Sequence, residues 1–220
     1  MLAPARLARA ALEQDAVRVA AGLLGARLVH RDAAGPVAVR LTEVEAYAGP
    51  RDPGSHAYRG PTPRSRIMFG PAGHLYVYFT YGMHWCANVV CGPDGEASAV
   101  LLRAGAVERG ADLARQRRPA ARTDVELARG PARLAAALGL DRRHDGTDLC
   151  SPDAPIWLEP ADPGPLPDVH VGPRVGVRGA GGDVTAFPWR FWVAGDPTVS
   201  AYRPALPRRR AAAADGRLSP

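Results

Sequence analysis

Apolar residues recur at helical spacing through Leu7, Ala11, Ala16, Val19, Ala20, Leu23 and Leu24, which predicts a helix over 7–24 with Gly25 as its stop. Two segments of strand character follow, 26–30 and 37–47, around a turn at 31–36. Strict alternation in the second puts Val39, Leu41, Glu43, Glu45 and Tyr47 on one face. Acids among apolar neighbours on a strand face call for a chemical explanation. From 49 to 73 the chain is rich in Gly, Pro and Arg and loses its periodicity; irregular segments of that length are functional or disordered.

Strand patterns return at 75–80, 87–91 and 97–102, and helical patterns at 106–116 and 130–138, the latter ended by Gly139. Proline-rich connections at 152–155 and 160–167 precede two late strands, 174–177 and 190–193. No internal repeat is present. The reading is α+β: a single domain over 1–204 with a mixed, largely antiparallel curved sheet and surrounding helices. The basic stretch 205–220 is expected to be a disordered tail.

Composition narrows the class. The chain has 220 residues, 46% of them hydrophobic, enough to bury a sizeable core. It has no run of 18 apolar residues, so no membrane partner is expected. Its start interleaves charge with apolar residues, unlike a secretory signal, which implies a cytoplasmic protein. Cys86, Cys91 and Cys150 are too few and too scattered for a disulfide framework and are read as reduced thiols. The net charge of +6 suits a polyanionic partner without proving one. All 28 residues counted as lysine or arginine are arginine. With Ala, Pro and Gly abundant, that bias hints at a GC-rich bacterial genome, and it leaves no side-chain amine for Schiff-base chemistry.

Several residues could carry chemistry. Glu45 stands two positions before Tyr47 at a strand exit, where a partly desolvated carboxylate can act as a general base toward water; the same pattern also describes solvated acids at a strand edge. Tyr76 and Tyr78 share a strand face and could stack on a flat ring, although tyrosines on sheets also serve packing alone. Tyr81, before Gly82, is placed to act as a wedge. His56 could orient a ligand. Arg51, Arg59, Arg64 and Arg66 gather in the long loop, where guanidinium forks suit phosphate oxygens or simply meet solvent.

These segments recur in one order: Glu43-Val44-Glu45-Ala46-Tyr47, Gly49-Pro50, Ser55-His56, Thr62-Pro63-Arg64, Met68-Phe69 and Gly73; then Leu75 to Tyr78, Tyr81-Gly82-Met83, Asn88-Val89 and Val100 to Ala104; then Leu127 to Pro131, Pro173 to Val177, Arg190 to Val193 and Val199-Ser200. Over about residues 12–203 the chain resembles the alkyladenine (3-methyladenine) DNA glycosylases, also called methylpurine DNA glycosylases. The resemblance implies a base-excision enzyme that flips an alkylated or deaminated purine out of double-stranded DNA. It would hydrolyse the N-glycosidic bond without lyase activity, cofactor or metal. Because a duplex must lie across one open face a monomer is expected, and the composition points to a bacterial, nucleoid-associated protein. It assigns water activation to Glu45, and base binding to Tyr47, His56, Tyr76 and Tyr78. Asn88 would crowd the 2-amino group of guanine, Arg103 would lie near the flipped nucleotide's backbone, and Tyr81 would intercalate. Arg64 and Arg66 would meet the DNA backbone.

Ser65, Ile67 and the run Met83-His84-Trp85 depart from the pattern common among such proteins, which bears on substrate range. Two other classes remain open. One is a non-catalytic lesion binder, whose mark would be loss of the acid at position 45. The other is a metallohydrolase using Glu45, His56, His74 or His84, although no metal-binding spacing occurs.

Overall fold

The computed structural model describes residues 5–164 and 168–205. Its organising element is a 13-residue strand, β2 (Gly35–Tyr47), which continues from β1 (Arg27–Asp32) through a tight turn. On its other side β2 pairs with β5 (Ala99–Arg109), which pairs with β4 (His84–Val90), itself the hairpin partner of β3 (Leu75–Thr80). The sheet runs β3-β4-β5-β2-β1-β6, with β6 (Ile156–Glu159) at the far edge. A further strand, β8 (Arg190–Val193), pairs with the last part of β2 and carries β7 (Val169–Gly172). Every one of these pairs is antiparallel, and with the helices below the fold is α+β, as expected.

One face of the sheet is covered by α1 (Ala16–Leu23) and α3 (Pro131–Leu138), with α2 (Ala111–Arg117) packed beside α3. Val19, Ala20 and Leu23 of α1 and Leu134, Ala135 and Leu138 of α3 meet Val39, Leu41 and Val44 of β2 and Val100 and Leu102 of β5. Each large side chain removed from water there contributes about 1.5–3 kcal/mol. A smaller cluster under the long loop, including Ala57, Met68, Tyr76 and Val90, supports the region of the cleft described below.

A bulge in β2 determines which residues face which side. Leu41 pairs with Gly105 and Glu43 with Ala104, but Val44 then pairs with Leu102, so the register slips twice. Val39 and Leu41 before the slip join the helix-side core, as do Val44 and Ala46 after it. Glu43, Glu45 and Tyr47 therefore do not share a face with Val39 and Leu41, and the uniform alternation expected for this strand is corrected. Gly105 permits the irregularity, because a Cβ there would collide with the Arg40 carbonyl.

Other local expectations also need correction. The helix expected over 7–24 is broken: Asp15 accepts a hydrogen bond from the Val17 N–H (2.9 Å) and caps a helix that starts only at Ala16. Ala106 to Arg109, expected to open a helix, continue β5 opposite β2. Helix α2 begins after Gly110, whose positive φ makes the turn. Residues 174–177 form no strand, and β6 and β7 were not anticipated. β3 and α3 stand where expected, within a residue. The tail expected at 205–220 lies, beyond Ala205, outside the described residues. Among the described residues no helix is long and apolar enough to cross a membrane.

Candidate active site

On the sheet face away from α1 and α3, the second half of β2 presents Glu45 and Tyr47, β5 presents Leu101 and Arg103, and the β3–β4 hairpin presents Tyr76, Tyr78, Cys86 and Asn88. The long loop adds His56 and the 173–178 loop adds Val175. Apart from Glu45, these side chains line a cleft of about 890 Å³, in the size range of small-ligand sites. Glu45 lies just beneath the wall, 0% exposed, among three residues that do line it. Tyr47 Oη donates to its Oε2 at 2.9 Å and the Val175 N–H to its Oε1 at 2.6 Å, while Arg103 Nη1 lies 3.3 Å from Oε1.

Arg103 connects this carboxylate to a second one. Its Nε donates to Glu43 Oε1 at 3.0 Å. Glu43 also accepts from Arg190 Nε (2.7 Å) and from the Ser200 N–H (2.7 Å). Burial alone would raise the Glu43 carboxyl, but Arg103, the Ser200 hydrogen bonds and Arg190 outweigh it and hold the group below the usual carboxylate range. Two carboxylates and two guanidiniums thus share one dry region in balance, the condition under which buried charge is tolerated. Burial works against the Arg103 cation, but Glu45 and Glu43 beside it keep that side chain charged at all accessible pH.

The aromatic wall is assembled by the hairpin. Tyr76 and Tyr78 lie 5.4 Å apart at an interplanar angle of 33°, and the His56 ring stands edge-on to Tyr78 at 4.7 Å. His56 Nδ1 is 3.1 Å from Tyr76 Oη. Burial on its inner side, and secondarily the Arg64 charge, push the His56 pKa down to about 4, so its ring is neutral at physiological pH. Burial likewise raises the Tyr47 and Tyr78 phenols, which stay protonated. Asn88 Nδ2 donates to the Tyr76 carbonyl at 3.2 Å, fixing the amide in the wall.

Tyr81 sits at the tip of the hairpin, 86% exposed, with φ 51°, the one positive φ among the described non-glycine residues. It shares the turn with Gly82 (φ 67°), closed by the Met83 N–H on the Thr80 carbonyl at 3.2 Å. Consecutive positive φ values characterise tight hairpin turns whose twist matches that of the strands. A non-glycine residue there costs of order 1 kcal/mol, so the turn projects a bulky ring into solvent despite strain.

The structure therefore brings Glu45, Tyr47, His56, Tyr76, Tyr78, Asn88 and Arg103 together, with Tyr81 at the same mouth. Arg64 stands 4.9 Å over the outer face of Tyr78 and donates to the Phe79 carbonyl. Arg66 is exposed on the 3₁₀ turn Arg66–Phe69, away from the cleft wall. Ser65 is buried and exchanges hydrogen bonds with Thr62, so that departure orders the loop and does not touch the cleft. His84 reaches the wall, and Trp85 packs on Phe79 at 4.8 Å. Among the described residues no three His, Cys, Asp or Glu side chains converge as a metal site would require.

Residue-by-residue reading missed Val175, Asp52 and two of the partners of Glu43, Arg190 and Ser200. A backbone N–H has no side-chain signature, and only the run Pro173 to Val177 hinted that this loop matters.

Residues 10–197 match the methylpurine-DNA glycosylase family. Three bacterial relatives share the name "Putative 3-methyladenine DNA glycosylase". That of Streptomyces avermitilis is 58% identical over 205 residues, covering 93% of this chain and 95% of the relative. Those of Leifsonia xyli and Nocardia farcinica are 53% and 54% identical, over 89% and 86% of this chain and 92% and 88% of the relatives. The class is thereby a DNA glycosylase, a hydrolase of N-glycosyl bonds that serves base excision repair. The chain belongs to the methylpurine-DNA glycosylase family.

Proposed function

We propose that this protein extrudes an alkylated purine nucleotide, 3-methyladenine foremost, from duplex DNA into the cleft and hydrolyses its glycosidic bond with Glu45 as general base. The observation that carries the reading is the Glu45 carboxylate, held by Tyr47, Val175 and Arg103 directly behind an aromatic wall.

A base inside a duplex cannot reach any active site, so the nucleotide must rotate out, at a cost of a few kcal/mol that is least for damaged pairs. Tyr81, projected into solvent at the cleft mouth, fills the vacated space in the stack. The extruded base lies among Tyr47, His56 and Tyr78, with Tyr76 behind. N-alkylated purine nucleotides carry positive charge, and electron-rich rings attract them. A neutral His56 does not repel such a base, whereas an imidazolium would. Asn88 crowds the position where guanine carries its 2-amino group. Arg103 offers its charge to the flipped nucleotide's backbone, and Arg64 and Arg66 reach for flanking phosphates.

The reaction then balances simply. The C1′–N bond breaks with its electron pair leaving on the purine nitrogen, which neutralises a cationic base. Water adds to C1′ of the oxocarbenium-like sugar, and Glu45 takes the water proton, as carboxylates do in inverting glycosidases. Neutral lesions such as hypoxanthine and ethenoadenine need protonation as well and are slower substrates. With no lysine in the chain, the reaction stops at an abasic site. A duplex must lie across one open face, which favours a monomer working at the bacterial nucleoid.

Glu45→Gln tests the reading. Excision from methylated duplex, in EDTA, falls by at least about 100-fold while lesion binding persists. With the parent enzyme, free base appears without metal and strand breaks appear only after alkali. Near-parental turnover by the mutant would remove Glu45 from the role. Tight lesion binding by the parent with no base release from methylated or hypoxanthine-containing DNA would make the chain a lesion binder instead.

A further inference from the structure

The run Pro173 to Val177 enters the site with more than the Val175 N–H. Arg174, adjacent in the chain, has a side chain 0% exposed to solvent, facing Asp52, also 0% exposed. Its Nη1 donates to Asp52 Oδ2 (2.6 Å) and to the Ala46 carbonyl (2.9 Å), and its Nη2 to Asp52 Oδ1 (2.7 Å) and the Gly181 carbonyl (2.7 Å). Asp52 also receives the Ala48 and Gly54 N–H groups. The guanidinium carbon lies over the Tyr47 ring, 4.5 Å from its centroid. Gly54 and Gly181 are small for this reason: a Cβ at Gly54 would press on Arg174, and one at Gly181 on the Gly54 backbone.

Two of these contacts, and the chain neighbour Val175, lead back to Glu45. Ala46, whose carbonyl Arg174 binds, is its chain neighbour. Tyr47, which Arg174 underlies, gives Glu45 Oε2 its hydroxyl donor, and Val175 gives Oε1 its N–H. One fork thus ties the strand that carries the carboxylate to the loop and the ring that hold its two oxygens. An ion pair buried this deeply costs desolvation, so stability alone does not account for it. We propose that Arg174, clamped by Asp52, is a positioning residue for hydrolysis, fixing the Val175 N–H and the Tyr47 hydroxyl on the Glu45 carboxylate. The inference rests on the reading of Glu45 as the base.

The test combines single-turnover excision from dimethyl-sulfate-treated duplex with affinity for a duplex carrying a tetrahydrofuran abasic-site analogue. Arg174→Gln lowers the excision rate about 100-fold, the scale on which misplacing a catalytic group acts. Affinity for the analogue stays within about twofold. Arg174→Lys, which keeps the charge and loses the fork, does not rescue the rate. In a Tyr47→Phe background the further loss on Arg174→Gln is smaller by roughly tenfold, because the two act on one carboxylate. Should Arg174→Gln melt below the assay temperature, Asp52→Asn loosens the same clamp and carries the same expectations. Fully multiplicative losses, rescue by lysine, or binding that falls in step with rate would overturn the inference. A dead Glu45→Gln with an unimpaired Arg174→Gln would reject the positioning role alone, whereas an active Glu45→Gln would reject the reading beneath it.

Discussion

The two faces of the sheet are built from the same strands by opposite rules. Against α1 and α3, β2 and β5 bury Val39, Leu41, Val44, Val100 and Leu102, and stability there follows apolar area. On the cleft face the same strands bury Glu43, Glu45 and Arg103, whose desolvation opposes folding and is offset by mutual pairing and by hydrogen bonds from Arg190, Ser200, Tyr47 and Val175. Conservative changes of volume should be tolerated on the first face, and changes of charge on the second should not. The difference shows that the helix-side core supplies the stability on which a polar, strained site can be carried.

The largest stability loss should come from Glu43→Ala. It strands Arg103 and Arg190 in a dry region, and a loss of about 3–5 kcal/mol is expected by chemical denaturation. A loss under about 1 kcal/mol would mean that the cleft face is wetter than its geometry implies. Leu28→Ala, on the apolar side of the comparison, should cost about 3 kcal/mol through its cavity and leave the excision rate of the folded fraction unchanged.

Acid sharpens the contrast more gently. Because the folded-state pKa of Glu43 lies below its unfolded value, its contribution is fully present above the ordinary carboxylate range and is lost as pH falls through the folded value. Stability of the parent should therefore decline in acid, and Glu43→Gln should decline less steeply in the same titration. Equal slopes would remove Glu43 from the acid response.

The smallest effect lies at the hairpin tip. Tyr81→Gly relieves a positive φ at some cost in chain entropy, so a net gain of about 0.5 kcal/mol in stability is expected, together with slower excision through lost capture of the flipped nucleotide. A variant that is no more stable would show that the turn is unstrained. One that excises at the parental rate would show that Tyr81 is not the wedge.

Much of this was legible in the chain. The alternation of Leu75 to Thr80 placed both tyrosines on one strand face, and Gly139 marked the end of α3. The motif order singled out Glu45 together with rings that meet in the cleft. What failed did so for identifiable reasons. Ala106 to Arg109 have helical composition, yet hydrogen bonds to β2 overrode that propensity. Asp15 could sit within a helix or cap one, and only its bond to Val17 shows which. Val175 contributes a backbone N–H, which no side-chain pattern reveals.

By itself, then, the sequence determined the types and order of most elements, the family, and the residue types the chemistry needs, because these depend on local spacing and on side-chain identity. Only the tertiary structure decided which side of the sheet receives the acids. Side chains alternate with a period of two, so two opposite slips between β2 and β5, one on each side of Glu43, invert the alternation and send Glu43 and Glu45 to the face opposite Leu41. Those slips belong to the pairing of two strands some 60 residues apart, Glu43 and Arg103 being separated by 60 positions. No window along one strand contains them.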